Sequence, residues 1–355
     1  MDDITAMVLQ TARGLMQRAS SPAALRAAED GAFDHGAWQA VTEAGLTLAM
    51  AAEDAGGAGL APEAAMRIAR VAGETALPLP LPETMLAIWL AGRAGLALPR
   101  HILEGGVLGF DPTGTAAALQ DGDILTTLAR IPWGRAAVAL LLPALRAGEF
   151  VLVLLDRTAW TVAPGTSIAK EPRDTLQIDT RRAGGTVLAV MPSPVSALAL
   201  RGYGAALRCQ QIAGALAAIT AMTTQYAQER SQFGRPIGRF QAVQQNLAVL
   251  AGQTAAALAA ADIAAEALDR PEPEALIAIA AAKTRAGEAA GIGAAIAHQV
   301  HGAIGFTMEH RLHFLTRRLW SWREECGKEG EWAIRLGRHL AAQGAERLWA
   351  EITAA

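Results

Sequence analysis

Between two long runs of helix-forming residues stands the sequence Gln228-Glu229-Arg230-Ser231-Gln232-Phe233-Gly234-Arg235-Pro236-Ile237-Gly238-Arg239-Phe240-Gln241. One helix ends in the RSQFG turn and the next begins after RPIGRFQ. An arginine, a phenylalanine and several backbone groups left unused at the helix ends therefore meet at one corner. Arg230 suits a phosphate, because its planar guanidinium donates two parallel hydrogen bonds. Taken alone, these residues leave two readings open, a phosphate grip and a merely basic turn.

Working outward, Val243, Leu247 and Leu250 keep the i, i+4, i+7 spacing of a helix, and Ile277, Ala280, Ala281 and Thr284 repeat it. Pro271 and Pro273 mark the joint between those helices. Four or five long helices with short joints, from about Leu198 onward, predict an antiparallel bundle. Upstream, GVLGF, DILTTLAR, AAVALLL, EFVLVLL, TLQIDT and TVLAV are short runs of β-formers, punctuated by Asp121-Gly122 and other Gly or Pro. They predict a small β domain. Before it the chain reads as short helices, with Pro62 in a first helical turn, Pro78, Pro80 and Pro82 as breaks, and Gly56, Gly57 and Gly59 as a joint. The expected fold is mainly α with a small β domain. The boundaries are a helical domain over 1–104, a middle β domain over 105–196 and a helical bundle over 197–355.

Of the 355 residues, 52% are hydrophobic and 18% charged, too apolar a mixture for a disordered chain. Thirty-one Lys and Arg against 34 Asp and Glu give a net charge of −3, which offers no footprint for nucleic acid. Cys209 and Cys326 cannot make a disulfide framework, and no CxxC or Cys/His cluster suggests a metal site. The start, MDDITAMVLQTARGL, carries acids where a signal peptide carries bases. These features together predict a cytoplasmic protein. The longest uncharged stretch, Phe240 to Ala261, holds five Gln or Asn and is otherwise mostly alanine, so a buried helix is expected rather than a membrane span. His298 and His301 flank Gln299 without further ligands at metal spacing and read as capping or core residues.

The RxQFGxPIxxFQ pattern resembles the signature of the acyl-CoA dehydrogenase family. A second match follows at Gln299-Val300-His301-Gly302-Ala303-Ile304-Gly305-Phe306-Thr307-Met308-Glu309, which is similar to that family's QxxGGxGY/F-T-E stretch. A third lies at Trp38 to Leu60, so the likeness spans nearly the whole chain. The resemblance implies an N-terminal helical domain, a β-barrel-like middle domain and a C-terminal antiparallel four-helix bundle. It also implies FAD, an acyl-CoA substrate in lipid metabolism, and an electron-transferring flavoprotein as electron acceptor. Carried across, Arg230, Gln232, Phe233 and Gln241 would hold the dinucleotide from one chain, and Gln299, Gly302 and Ala303 from a neighbour. The neighbour is either a second copy, in a homodimer or homotetramer, or a related chain in a hetero-oligomer. Ala303 stands where the family has a second glycine, which is tolerable if its φ is negative. In the middle domain, Phe110-Asp111-Pro112-Thr113-Gly114-Thr115 and Arg130-Ile131-Pro132-Trp133-Gly134-Arg135-Ala136 depart from the family's flavin-wrapping segments.

Such enzymes remove an α-proton with a glutamate while a hydride leaves the β-carbon for the flavin, and a sequestered carboxylate gains the basicity this needs. Without gaps, the two family columns for the glutamate fall on Cys326 and Gly204. A one-residue slip places Glu325 there, which makes Glu325 the candidate base. The rival reading has Glu324 and Glu325 pairing with Arg317, Arg318 or Arg323. The vacant columns also suit a non-catalytic partner subunit that keeps the fold and the interface. The short β domain is compatible with bulky acyl groups such as ring-bearing side chains.

Overall fold

The computed structural model of the chain describes residues 3–182, 184–347 and 349–350. Six helices come first: α1 (Asp3–Ala19), α2 (Pro22–Glu29), α3 (His35–Glu43), α4 (Pro62–Thr75), α5 (Leu81–Arg93) and α6 (Arg100–Leu103). Eight strands follow: β1 (Leu108–Phe110), β2 (Ala117–Gln120), β3 (Asp123–Pro132), β4 (Ala139–Arg146), β5 (Glu149–Asp156), β6 (Trp160–Ala163), β7 (Arg173–Asp179) and β8 (Val187–Pro192). Long helices complete the chain: α7 (Ala197–Glu229), α8 (Gln241–Glu266), α9 (Glu272–His301), α10 (Leu312–Glu324) and α11 (Glu329–Gln343). A ribbon of two short strands, β9 (Ser231–Gln232) and β10 (Arg235–Pro236), sits between α7 and α8. This is the order expected from the sequence: helices, a β region, then helices.

The chain divides into two compact units, one of residues up to Ile68 with Leu77–Gly204, the other of Ala69–Ala76 with Ala205–Ala355. In the first, side chains start two of the helices. Ser21 accepts from the Ala24 amide and Asp34 from the Ala37 amide, each satisfying a backbone N–H that the first turn leaves free. Every residue of α5 from Leu81 to Ala91 is buried, the mark of a core helix. The sheet runs β6-β7-β3-β2-β4-β5-β8, and β1 pairs with the start of β4 on the same edge that β2 takes further along. β4 and β5 pair from Ala139↔Asp156 to Arg146↔Glu149 and are buried through their middles, which explains their unbroken apolar runs. Asp121 and Gly122, at φ 51° and 87°, close a two-residue hairpin between β2 and β3. β2 and β6 lie outside the runs of β-formers noted above. Each has four residues, too few for alternation to stand out.

In the second unit, contacts fix the helix directions. Gln210 and Thr220 of α7 meet Ala261 and Thr254 of α8, so the two run antiparallel. Gln253 of α8 meets Arg285 of α9, and His298 and Lys283 of α9 meet Thr316 and Arg323 of α10, reversing direction each time. The end of α4 packs on α7 at backbone distance. A Cβ on Gly214 would lie 1.9 Å from the Arg70 carbonyl oxygen, and one on Gly73 2.1 Å from that of Gln211. The face of α9 differs from the expected stripe: Ala275, Ile279, Ala282, Ala286 and Ala290 are buried, whereas Ala281 is exposed. Alanine covers so much of this helix that its period has little contrast. The segment Gln241–Asp269 is long and apolar enough to cross a membrane, and 33% of its most apolar window is buried within this chain. The buried helix expected there is thus buried along one side only.

Candidate functional site

The corner between α7 and α8 and the end of α9 come together at one end of the bundle. Ala227 of α7, Ile237 of the connecting turn and Val300 of α9 form a buried cluster, with Tyr226, Phe240, Val243, Leu247 and Ile296 packed against it. The two sequence motifs are therefore adjacent within a single chain. Backbone bonds shape the corner: the Arg230 amide donates to the Tyr226 carbonyl, and the Ile237 amide to the Arg230 carbonyl. Phe233 turns at φ 51° and Gly234 at 79°, which throws the Phe233 ring outward, 91% exposed. Its edge meets Phe240 at 6.2 Å, and the Arg235 guanidinium lies 4.3 Å from the centre of the same Phe240 ring.

The sequence-derived dinucleotide residues share one property. Arg230, Gln232, Gln241 and Gln299 are all exposed. None of their side chains bonds to another described residue. Around the end of α9, Gly302 takes φ 63° and a Cβ there would meet nothing within 4 Å, so its backbone is open to a ligand. Ala303 belongs to the short helical turn Gly302–Phe306, and the left-handed conformation falls on Gly302 instead. The alanine that replaces the family's glycine thus carries no strain. Open backbone beside unpartnered amide and guanidinium donors fits a diphosphate. Ile304, Phe306 and Met308, exposed by 43%, 66% and 52%, surround the turn with apolar surface.

Glu325, the candidate base, ends α10 at the opposite end of α9. Its carboxylate accepts from the Arg208 guanidinium at 2.9 and 2.8 Å and from the Ser321 hydroxyl at 3.0 Å. The Arg208 side chain is 1% exposed and also bonds Gln211. The partner is thus an arginine of α7 and not one of the α10 arginines that lie near Glu325 in sequence. The overlooked signal was Arg208 itself, a charge set in the apolar run GYGAALRCQQIAGAL of a core helix, where burial demands a counter-charge. Buried Lys283 ties the same turn from α9, its ammonium donating to the carbonyls of Arg323 and Gly327 at 2.6 and 2.8 Å. Trp332 Nε1 donates to the Cys326 carbonyl at 3.0 Å, and Cys326 adopts φ 56°. Arg323 bonds Glu329, holding that carboxyl below its ordinary range. Burial pushes the neighbouring Cys209 thiol up to about 12, an unreactive state.

In the middle region Asp111 is buried, which pushes its carboxyl up, and it accepts from the Thr113 amide at 2.9 Å. Trp133 is buried and packs edge-on against Phe33 at 6.1 Å, a contact with its own chain. Its neighbour Arg135 is fixed to buried Asp174, with contacts as short as 2.6 Å. A cavity of about 930 Å³ lies between the Met50–Pro62 segment and the Ile88–Leu103 segment of the first unit. Among the described residues no group of three or more His, Cys, Asp or Glu is placed to hold a metal ion.

Helices, a β region and a helical bundle in that order, with the two motifs at one end of the bundle, define the scaffold, and comparison with known proteins gives the family. Residues 3–95 match the family model of the acyl-CoA dehydrogenase N-terminal domain and residues 201–327 that of the C-terminal domain. The chain belongs to the acyl-CoA dehydrogenase family, a family of oxidoreductases. Among curated relatives, the acyl-CoA dehydrogenase IpdE2 of Mycobacterium tuberculosis is 31% identical over 326 residues, covering 88% of this chain and 89% of the relative. Two solved structures share the fold. The ChsE4-ChsE5 complex from Mycobacterium tuberculosis aligns at a TM-score of 0.85 and 22% identity, over 97% of this chain and 99% of the other. A Tcur3481-Tcur3483 steroid ACAD variant aligns at 0.84 and 22%, over 99% of each.

Proposed function

We propose that this chain is a cytoplasmic subunit of an FAD-dependent acyl-CoA dehydrogenase, which converts an acyl-CoA thioester to its 2-enoyl-CoA and passes electrons to an electron-transferring flavoprotein. The observation that carries this reading is the open corner, where Arg230, Gln232, Phe233 and Gln241 stand exposed on the same bundle end as Gln299, Gly302 and Ala303. Arg230 would donate to a phosphate of the dinucleotide bound at its own corner, and the open Gly302 backbone would let the diphosphate of a dinucleotide bound by a neighbouring chain approach closely. A bound flavin would supply hydride acceptance. The chain would contribute binding, and the apolar rim of Ile304, Phe306 and Met308 would be covered by a second chain, either a copy or a related subunit.

Glu325 is the residue of this chain proposed as the α-proton base, and its contacts set a condition on that role. A carboxylate held by a buried guanidinium is favoured in its charged form, opposite to the desolvated and more basic state that a carbon acid requires. Proton abstraction by Glu325 therefore needs the Arg208 pair to open when substrate binds. The same pair favours a second reading, that this chain is a fold-retaining, non-catalytic partner whose sister subunit supplies the base. The relative in the ChsE4-ChsE5 structure is named as a complex of two chains, and the other is named a steroid enzyme. The first name supports a hetero-oligomer, and the second supports a bulky, ring-bearing substrate.

Purification separates the readings. If the chain is the enzyme, it carries flavin when expressed alone, the colour bleaches anaerobically with an acyl-CoA, and Glu325→Gln stops bleaching while flavin stays bound. If it is the partner, it is colourless alone, takes up flavin beside a sister chain, and Glu325→Gln leaves turnover of that complex unchanged. A colourless protein in every combination would end both.

A further inference from the structure

The turn that carries Gln299, Gly302 and Ala303 is built on imidazoles. His298 stacks on Phe306, with centroids 4.1 Å apart and planes 19° apart, and lies near-parallel to Trp320 at 5.8 Å. His301 stacks on Tyr226 at 4.5 Å and 21°, and meets His310 edge-on at 4.8 Å. His313 on α10 completes the group. These contacts join the end of α7, the end of α9, the Gly302–Phe306 turn and α10.

Hydrogen bonds fix the protons. His301 Nδ1–H donates to the Ala297 carbonyl at 2.8 Å, and its buried Nε2 has no partner. The Thr316 hydroxyl donates to the Leu312 carbonyl, so at the 2.9 Å contact with His298 Nε2 the imidazole is the donor, and buried Nδ1 is left bare. His313 Nδ1–H donates to the His310 carbonyl at 3.0 Å and its buried Nε2 is bare too, while His310 Nδ1 accepts from the Leu312 amide. Each of the three buried rings has placed its single N–H. A second proton would create a buried donor with nothing to receive it.

The charged surroundings act in the same direction. Burial lowers the proton affinity of His298, His301 and His310, and neighbouring imidazoles lower the first two further, while the Ala297 carbonyl that accepts from His301 offsets part of its fall. His313 is pushed down to about 4 by burial, by Arg317 and Arg318, and by the other rings. Arg311, which donates to the Thr75 carbonyl, adds another cation nearby. The acids in these segments are exposed: Glu309 in the loop, and Glu229 on α7, where Gln225 bonds it. An imidazolium over an aromatic ring gains cation–π attraction, but rings this close cannot all charge without repelling one another.

We propose that His298 and His301, kept neutral in these stacks, are positioning residues that hold the Gln299–Phe306 turn in shape for a dinucleotide diphosphate, and that a proton on either ring opens the turn and releases the ligand. The ligand half of this statement rests on the function proposed above. The positioning half does not.

The test is hydrogen exchange of the 299–309 segment in the flavin-free full chain at about pH 7.5 and 5, corrected for intrinsic rates, beside His298→Phe/His301→Phe. Phenylalanine keeps a stacking ring and cannot titrate. The wild type is expected to lose about tenfold protection at the lower pH, and the double variant to lose little. Flavin retention by the loaded oligomer should follow the same pattern. Equal wild-type protection at both pH values overturns the proposal, as does an equal loss in the double variant. If the double variant does not fold, NMR titration of the wild-type imidazoles decides: rings titrating at or above about pH 6.5 overturn it, and rings titrating well below support it. Pattern upheld with no flavin bound in any complex would defeat the cofactor reading while leaving the positioning role intact.

Discussion

Arg208 of α7 and Glu325 at the end of α10 form an ion pair at 2.8 Å across 117 positions of sequence, the arginine side chain 1% exposed and the carboxylate 11%. Removing the carboxylate's partner leaves an uncompensated charge in a near-dry site, so Arg208→Met should cost about 3 kcal/mol of stability. Glu325→Gln keeps an acceptor for Arg208 and Ser321 and should cost about 1 kcal/mol. Urea denaturation of both singles and the double variant would expose the coupling. Strict additivity would mean that the pair contributes nothing.

Arg230 stands at the other end of the bundle with no side-chain partner among the described residues. Arg230→Ala should therefore leave the melting temperature nearly unchanged, yet weaken flavin retention by about 10- to 100-fold, the worth of one charge-assisted hydrogen bond to phosphate. Equilibrium dialysis against FAD reads the second effect. Undiminished affinity would remove Arg230 from the site.

Gly214 faces the Arg70 carbonyl oxygen so closely that a methyl group there would sit 1.9 Å away. Neither backbone can yield without shifting α4 or α7. Gly214→Ala should destabilise by about 2–3 kcal/mol, while Gly252→Ala, on α8 with open space around it, should be neutral or slightly stabilising. Thermal melts of the two variants compare them directly.

The histidines at the foot of α9 predict a pH dependence whose sign follows from proton affinity. An unfolded imidazole titrates near 6.5, whereas His313 in the fold is pushed down to about 4. The unfolded chain therefore binds more protons between those values. Stability should be full above about pH 6.5 and fall as pH drops toward 4. Glu329, held low by Arg323, adds its loss only below about pH 4.5. The interval from about pH 6.5 to 5 thus reports the imidazoles, and an unchanged urea midpoint across it would contradict their neutral packing.

How far the sequence could be read differs from element to element. The Asp121-Gly122 break, the Pro62 start of α4 and the β4 and β5 runs were legible because turn chemistry and burial on both faces are local properties. The α9 face was not, since a helix dominated by alanine carries almost no periodic contrast. The α7–α8 corner was legible as a motif, and even the safety of Ala303 could be framed as a question about φ. The answer needed the turn itself, which puts the left-handed residue at Gly302.

By itself the sequence determined the order of helices and strands and the chemistry offered at the α7–α8 corner, since both depend on neighbours a few residues apart. Long-range packing set the rest: the two motifs share one end of the bundle, Glu325 is held by Arg208, and His298 and His301 stack on Phe306 and Tyr226 at the second motif with His310 edge-on. Those relations join residues up to 117 positions apart, brought together by the burial of helix faces rather than by any local pattern.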